Sequence, residues 1–206
     1  MPVQLTAREI SQKYDRFARW YDFVEGIPDL LGLGRLRHRL LQRASGKILE
    51  VAVGTGKNLT HYSRDYPFAA VDLSRGMLDA ARRRCNRLSL NVSLLLMDAE
   101  ALGFQDKSFD TVVSSLTVCT FPNPVHALRE MARVCRLDGR VFLLEHGRSD
   151  RKWLARWQDR RDDRHAKQLG CHWNREPLEL VRQAGLTVVA ARRTFFGIFH
   201  VLEARL

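Results

Sequence analysis

Cysteine is scarce in this 206-residue chain, and long apolar runs are absent. No stretch nears the roughly 18 apolar residues that a membrane span needs. The opening Met1–Tyr14 is too polar for a secretory signal. Cys85, Cys119, Cys135 and Cys171 form neither a CxxC pair nor a disulfide-rich pattern. Reduced thiols, a cytoplasmic setting and no metal site are therefore expected. Acidic residues are the other shortage: 23 Asp and Glu against 34 Lys and Arg leave a formal charge of +11. An excess of that size suits an anionic membrane surface, a nucleic acid or an acidic small substrate. Its densest run, Arg82-Arg83-Arg84, falls within a helical pattern and reads as a solvated face rather than a phosphate track. Repeats, low-complexity tracts and linkers are missing too. A composition 45% hydrophobic and 28% charged then predicts one domain with a real core.

Hydrophobic periodicity orders the chain. Ile10, Tyr14, Phe17, Tyr21 and Val24 recur at helical spacing. The Gly26–Gly34 region breaks that helix, and a basic one follows over Arg35–Arg43. Strands are expected at 47–53, 68–72, 91–97, 109–115 and 140–146, with helices near 57–65, 74–87 and 123–136. Short β-rich runs alternating with helical ones predict a parallel sheet covered on both faces. Beyond residue 146, Ser149–Leu169 is helical and carries Trp153 and Trp157 one turn apart. Asn174 should cap a helix ending at Gly185, and Thr187–Ala191 with Phe199–Ala204 should close the sheet as a hairpin.

The densest chemical signal lies at Glu50-Val51-Ala52-Val53-Gly54-Thr55-Gly56-Lys57-Asn58. A buried strand enters a glycine turn, where Gly54 and Gly56 let a ligand approach the backbone. Asp72 ends the next strand, where a carboxylate can take ribose hydroxyls. Asp98 and Ala99 end the third, offering a carboxylate and a backbone N–H to an adenine ring. Glu50, inside an apolar strand, suits either turn amides or the ligand. An NAD fingerprint needs a third small residue where Leu59 stands, and Gly56-Lys57-Asn58 lacks the hydroxyl of a phosphate-binding loop.

Ile48–Gly56, Val71-Asp72-Leu73-Ser74, Met97–Glu100, Phe109–Val113 and Pro122 through His146 resemble the successive motifs of class I S-adenosylmethionine-dependent methyltransferases. The subgroup most resembled contains the ubiquinone/menaquinone, phospholipid N- and alkyl-thiol methyltransferases. The resemblance implies a Rossmann-like, seven-stranded α/β sheet with helices on both faces and an N-terminal helical lid. It divides a single domain into a lid (1–45), a cofactor-binding core (46–146) and acceptor-side helices and hairpin (147–206). S-adenosylmethionine would be the cofactor. Its contacts would be Tyr14, Tyr21, Glu50, Ala52, Gly54, Gly56, Asn58, Asp72, Leu73, Met77, Asp98, Ala99 and Ser115. Two departures stand out. Ala52 replaces a usual glycine, which is tolerable unless the backbone there needs positive φ. Leu137-Asp138-Gly139 replaces a Pro-Gly-Gly turn, with Asp138 able to adopt a left-handed conformation.

Methyl transfer from a sulfonium needs an acceptor held in line at roughly 3 Å, and a base only where a proton must leave. His146, Glu145 and Tyr21 are the candidate catalytic groups. Ser114-Ser115-Leu116-Thr117 lacks the Asn/Asp-Pro-Pro-aromatic grip associated with methylation of base amines, and no cysteine adjoins a proline. A small or lipid-like acceptor is therefore expected: a phospholipid amine (slightly favoured), a quinone-type ring or a thiol. Trp20 with Arg35, Arg37, Arg39 and Arg43 would form an apolar entrance ringed by positive charge, and Trp153 and Trp157 with the arginines around them a second such surface, both suited to peripheral contact with anionic membrane; the slightly favoured alternative is that both stripes pack on the sheet and on each other. The alternatives are a nucleic-acid-modifying methyltransferase, supported only by charge, and a non-catalytic cofactor binder.

Overall fold

The computed structural model describes residues 3–28 and 32–206, with the side chains of 19–20 and 22–28 outside the described set. Chain order is α1 (Ala7–Pro28), α2 (Gly34–Leu41), β1 (Ile48–Val51), β2 (Phe68–Asp72), α3 (Arg75–Leu88), β3 (Ser93–Leu96) and β4 (Phe109–Ser115). It continues through α4 (Pro124–Val134), β5 (Cys135–His146), α5 (Lys152–Leu169), α6 (Pro177–Gln183), β6 (Thr187–Thr194) and β7 (Phe199–Arg205). One seven-stranded sheet runs β3-β2-β1-β4-β5-β7-β6. The first five strands pair in parallel, and β7 inserts antiparallel between β5 and β6. This is the seven-stranded Rossmann-like sheet that the sequence resemblance implies, with the terminal hairpin in its expected place.

Strand β1 is buried at all four positions, as a central parallel strand flanked by helices must be. On one face Leu49, Val112, Val141 and Leu143 meet Leu128 and Met131 of α4 and Val181 of α6. On the other, Ile48, Val113, Phe142 and Leu144 meet Leu40 and Leu41 of α2. Helix α3 begins on Ser74, whose hydroxyl accepts the Met77 N–H at 3.1 Å. No described helix is long and apolar enough to cross a membrane.

Several boundaries differ from the sequence reading. Helix α1 passes through Gly26 to Pro28 instead of breaking there, and residues 29–31 lie outside the described set. The 57–65 helix shrinks to a 3₁₀ turn, Lys57–His61. Asp138 sits within β5 and is not among the described residues with positive φ, so no left-handed turn replaces Pro-Gly-Gly. Asn174 caps nothing: Pro177 at the first turn of α6 moves the start to Glu176, and the Asn174 side chain turns to Asp159 at 3.3 Å.

Candidate active site

The carboxyl ends of β1, β2 and β4 open on a chamber. Its floor is the turn after β1, which the backbone crosses in left-handed conformation at Ala52 (φ 57°), Gly54 (φ 56°) and Gly56 (φ 80°). Ala52 therefore does occupy a position needing positive φ. Asp72 holds the turn: one carboxylate oxygen accepts the Gly54 N–H and the other the Ser74 N–H, both at 2.8 Å. Each oxygen retains a further lone pair for a ligand hydroxyl. Burial pushes Asp72 up to about 6, against the lowering effect of those amides.

Beneath the turn, Arg37 donates to the Asn58 side-chain carbonyl at 2.6 Å, and the Asn58 amide donates to Glu50 at 2.7 Å. Burial drives Glu50 up to about 8, opposed first by its bond from Asn58. Arg37 was read from sequence as part of a surface ring, but only 5% of it is exposed and it lines the chamber. It shares its helix face with Leu40 and Leu41, both buried, with Leu33 and Ala44 buried just beyond either end. A single cation on an apolar stripe was the available signal. Arg43 lies elsewhere, paired with Glu203, so the proposed basic ring does not form. The side chain of Trp20, assigned to the same entrance, lies outside the described residues, as does that of Val24.

Helix α1 closes the chamber with Ile10, Ser11, Tyr14 and Tyr21. It is tied down in its first half by two charged side chains two residues apart. Asp15 accepts from the Ser74 hydroxyl and the Gly76 N–H at the start of α3, at 2.6 and 2.9 Å. Lys13 donates to the Lys167 carbonyl near the end of α5 at 2.7 Å. These charges oppose the respective helix dipoles.

Behind Tyr14, Tyr21 and Leu116 lies a second, more apolar cavity. Phe17, Trp157, Trp173, Ile198 and Phe199 line it, and its polar groups include His146, His165, Cys119 and Cys171. Leu116, in the shared wall, is held at φ 59°. A β-carbon in that region costs on the order of 1–3 kcal/mol and persists only where surroundings enforce it. Glu145 supplies the enforcement: its carboxylate accepts the Thr117 and Val118 amides at 2.9 and 3.1 Å and the Ser114 hydroxyl at 3.2 Å.

Twelve of the thirteen residues picked from sequence as cofactor contacts line the first chamber. Gly56 does not. A β-carbon there would lie 2.7 Å from Leu59 Cδ1 and 3.4 Å from the Ala81 Cα, so this glycine serves packing. Sequence reading missed Ile10, Ser11, Arg37, Met97, Thr120 and Phe121. Of the candidate catalytic groups, Tyr21 borders both cavities and His146 lines the second. Glu145 lines neither, because its carboxylate is consumed by the loop it anchors. Burial raises it to about 7, and the amides oppose the shift.

Residues 49–143 match the family model described as "Methyltransferase domain". A phosphatidylethanolamine N-methyltransferase of Cereibacter sphaeroides is 38% identical over 148 residues, covering 71% of this chain and 72% of that one. The mitochondrial methyltransferase OMS1 of Saccharomyces cerevisiae is 28% identical over 221 residues. That alignment takes in 98% of this chain but only 47% of the yeast protein's length. Among solved structures, the [4+2]-cyclase SpnF superposes with a TM-score of 0.77 at 18% identity, over all of this chain and 97% of that one. That last likeness speaks for the fold alone.

Proposed function

Because the chain belongs to the S-adenosylmethionine-dependent methyltransferase family, we propose that it methylates a small or lipid-like acceptor held in the aromatic cavity behind Tyr14 and Tyr21. S-adenosylmethionine is the cofactor, and the first chamber suits it. An added β-carbon at Gly54 would find no protein atom within 4 Å. The Ser115 hydroxyl is buried in the same chamber without a hydrogen-bond partner. Asp72 would hold the ribose, Asp98 and Ala99 the adenine, and the turn at Gly54 with Arg37 the methionine end. When bound, the cofactor supplies a methyl group already electrophilic enough to transfer.

The chain's own task is then alignment and exclusion of water. Tyr14, Tyr21 and Leu116 bound both cavities, so a group crossing between them passes this wall. That shared wall is the observation on which the reading rests. Helix α1, fixed by Asp15 and Lys13, covers it. Tyr21 is retained as a positioning group for the acceptor.

The lipid-like character of the acceptor rests on the mouth of the second cavity. Leu154 and Trp157 line both that cavity and an outer groove with Trp153, Arg156 and Arg160. Trp153 is 69% exposed and Phe196 62%. The Phe196 carbonyl accepts from the Ser149 hydroxyl and the Asp150 N–H, which sets this loop beside the start of α5. Exposed aromatics among arginines favour an anionic interface. Labelled-methyl transfer should therefore be tested with phosphatidylethanolamine in anionic and neutral vesicles, beside free quinone and thiol acceptors. Transfer that rises on anionic vesicles is expected. Cofactor binding without transfer to any acceptor would refute catalysis, and equal sedimentation with both vesicles would refute membrane contact.

A further inference from the structure

Three segments far apart in sequence converge on the second cavity. Cys119 follows β4, His146 ends β5 and Cys171 follows α5. The two thiol sulfurs and an imidazole nitrogen all lie within 4.8 Å of one another, with Cys171 Sγ 3.2 Å from His146 Nε2. This is the one such grouping among the described residues. We propose that Cys119, His146 and Cys171 bind a zinc-class divalent cation whose fourth coordination position opens into the second cavity.

Donor chemistry selects the ion. Two thiolates and an imidazole suit zinc over magnesium or calcium, which prefer oxygen ligands. Three protein ligands with one open position is the arrangement of reactive rather than structural zinc sites. On binding, both thiol protons leave to solvent, and two thiolates balance the ion's two charges. The buried site ends neutral, as an apolar cavity demands.

The backbone around the three ligands is fixed from outside. The Gln158 amide donates to the Gly147 carbonyl at 3.1 Å and the Trp173 carbonyl at 3.0 Å, and its oxygen accepts the Ser149 N–H at 2.8 Å. That one side chain ties the His146 segment to the Cys171 segment. Asp162 accepts the Trp173 N–H at 2.9 Å and contacts His172 Nδ1 at 2.6 Å. The His172 N–H donates to the Cys119 carbonyl at 2.9 Å. Arg175 donates to the Val118 and Phe121 carbonyls on either side of Cys119. A hydrogen-bonded core pair of thiols would not need three segments cross-linked at the residues flanking each donor atom. Under this assignment His146 is a ligand and cannot act as the base that its strand-end position suggested.

The test uses the full chain, stripped of metal and kept reduced, titrated with cobalt(II). One equivalent should bind with thiolate-to-cobalt charge-transfer absorption and tetrahedral visible bands, releasing two protons, and zinc should displace it. Cys119→Ser and Cys171→Ser should each weaken binding by more than the roughly 10–100-fold that outer-shell changes cost. Cys85→Ser should leave it unchanged. S-adenosylhomocysteine affinity, measured by calorimetry, reports that the variants fold, and it stands or falls independently of the metal. Adding 2-mercaptoethanol should intensify the charge-transfer bands as its thiolate takes the open position. Absence of charge-transfer bands, or serine variants that bind cobalt as tightly as the unsubstituted chain, would overturn the site. Spectra indifferent to the added thiol would overturn its open position.

Discussion

The turn after β1 offers three substitutions that separate strain, packing and ligand space within five residues. At Gly54 the backbone sits at φ 56°, and a β-carbon would touch nothing within 4 Å. Alanine there should cost the left-handed penalty of about 1–2 kcal/mol. The smaller entropy of the unfolded alanine chain returns about 0.4–1 kcal/mol. The net loss is near 1 kcal/mol, about 2–4 °C in Tm for a chain of this length. Yet the new methyl group would stand in the cofactor chamber, so S-adenosylhomocysteine affinity should fall at least about tenfold, or 1.4 kcal/mol. Gly56→Ala should do the reverse. Its methyl meets Leu59 Cδ1 at 2.7 Å, which adds about 1–3 kcal/mol of overpacking, while affinity per folded molecule stays within a few-fold. Ala52→Gly removes a β-carbon from φ 57° and should raise stability by about 0.5 kcal/mol, where glycine at negative φ would lower it. Urea unfolding and calorimetry on the three variants give both readouts. Weak binding with undiminished stability in the Gly56 variant, or a destabilised Ala52→Gly, would refute this division of roles.

Two further outcomes follow from buried groups. Glu145→Ala strands the Thr117 and Val118 amides and leaves the Ser114 hydroxyl with only its bond to the Thr117 hydroxyl, and should cost about 3–5 kcal/mol in urea unfolding; a loss below about 1 kcal/mol would mean water replaces the carboxylate. His200 is pushed from 6.5 down to about 4 by burial, with Arg193 adding to the shift. Between those values the unfolded chain binds more protons, so stability is complete above 6.5 and drains as pH falls toward 4, by up to roughly 3 kcal/mol. His200→Gln should lack that slope, and parallel stability–pH curves for the two proteins would rule it out.

What could be read from sequence is what lies close along the chain or repeats with a simple period. The β1 turn, Asp72 at the end of β2 and Asp98 at the end of β3 are local events. A parallel sheet places successive strand ends on one edge, so their convergence follows from fold class alone. The same logic explains where the reading failed. Gly54 and Gly56 are two residues apart and both left-handed, yet only contact with Leu59 and Ala81 makes the second a packing residue. Glu145 stands at a strand end, as a catalytic acid would. That position put it within reach of one donor from β4, Ser114, and two from the loop after it, and they consumed its lone pairs. Position along a strand says which edge a side chain approaches, not which neighbour it meets there.

The Cys119–His146–Cys171 grouping marks the limit more sharply. Motif spacing finds metal sites whose ligands share a hairpin or a helix turn, because only there does separation in sequence fix separation in space. Here each ligand ends or follows a different strand or helix, and what brings them together is a second set of residues, Gln158, Asp162 and Arg175, holding backbone rather than ligand. None of these carries a metal-binding signature, and a buried glutamine on a helix reads as an amphipathic irregularity. The expectation of reduced thiols without a metal site rested on spacing, which carries no information about topology. Cys85 and Cys135, buried apart from the cluster, fit that expectation still. The remaining two share one cavity with the only imidazole placed at the end of a parallel strand, and there the cysteine count stops being a statement about redox compartment and becomes one about ligand sets.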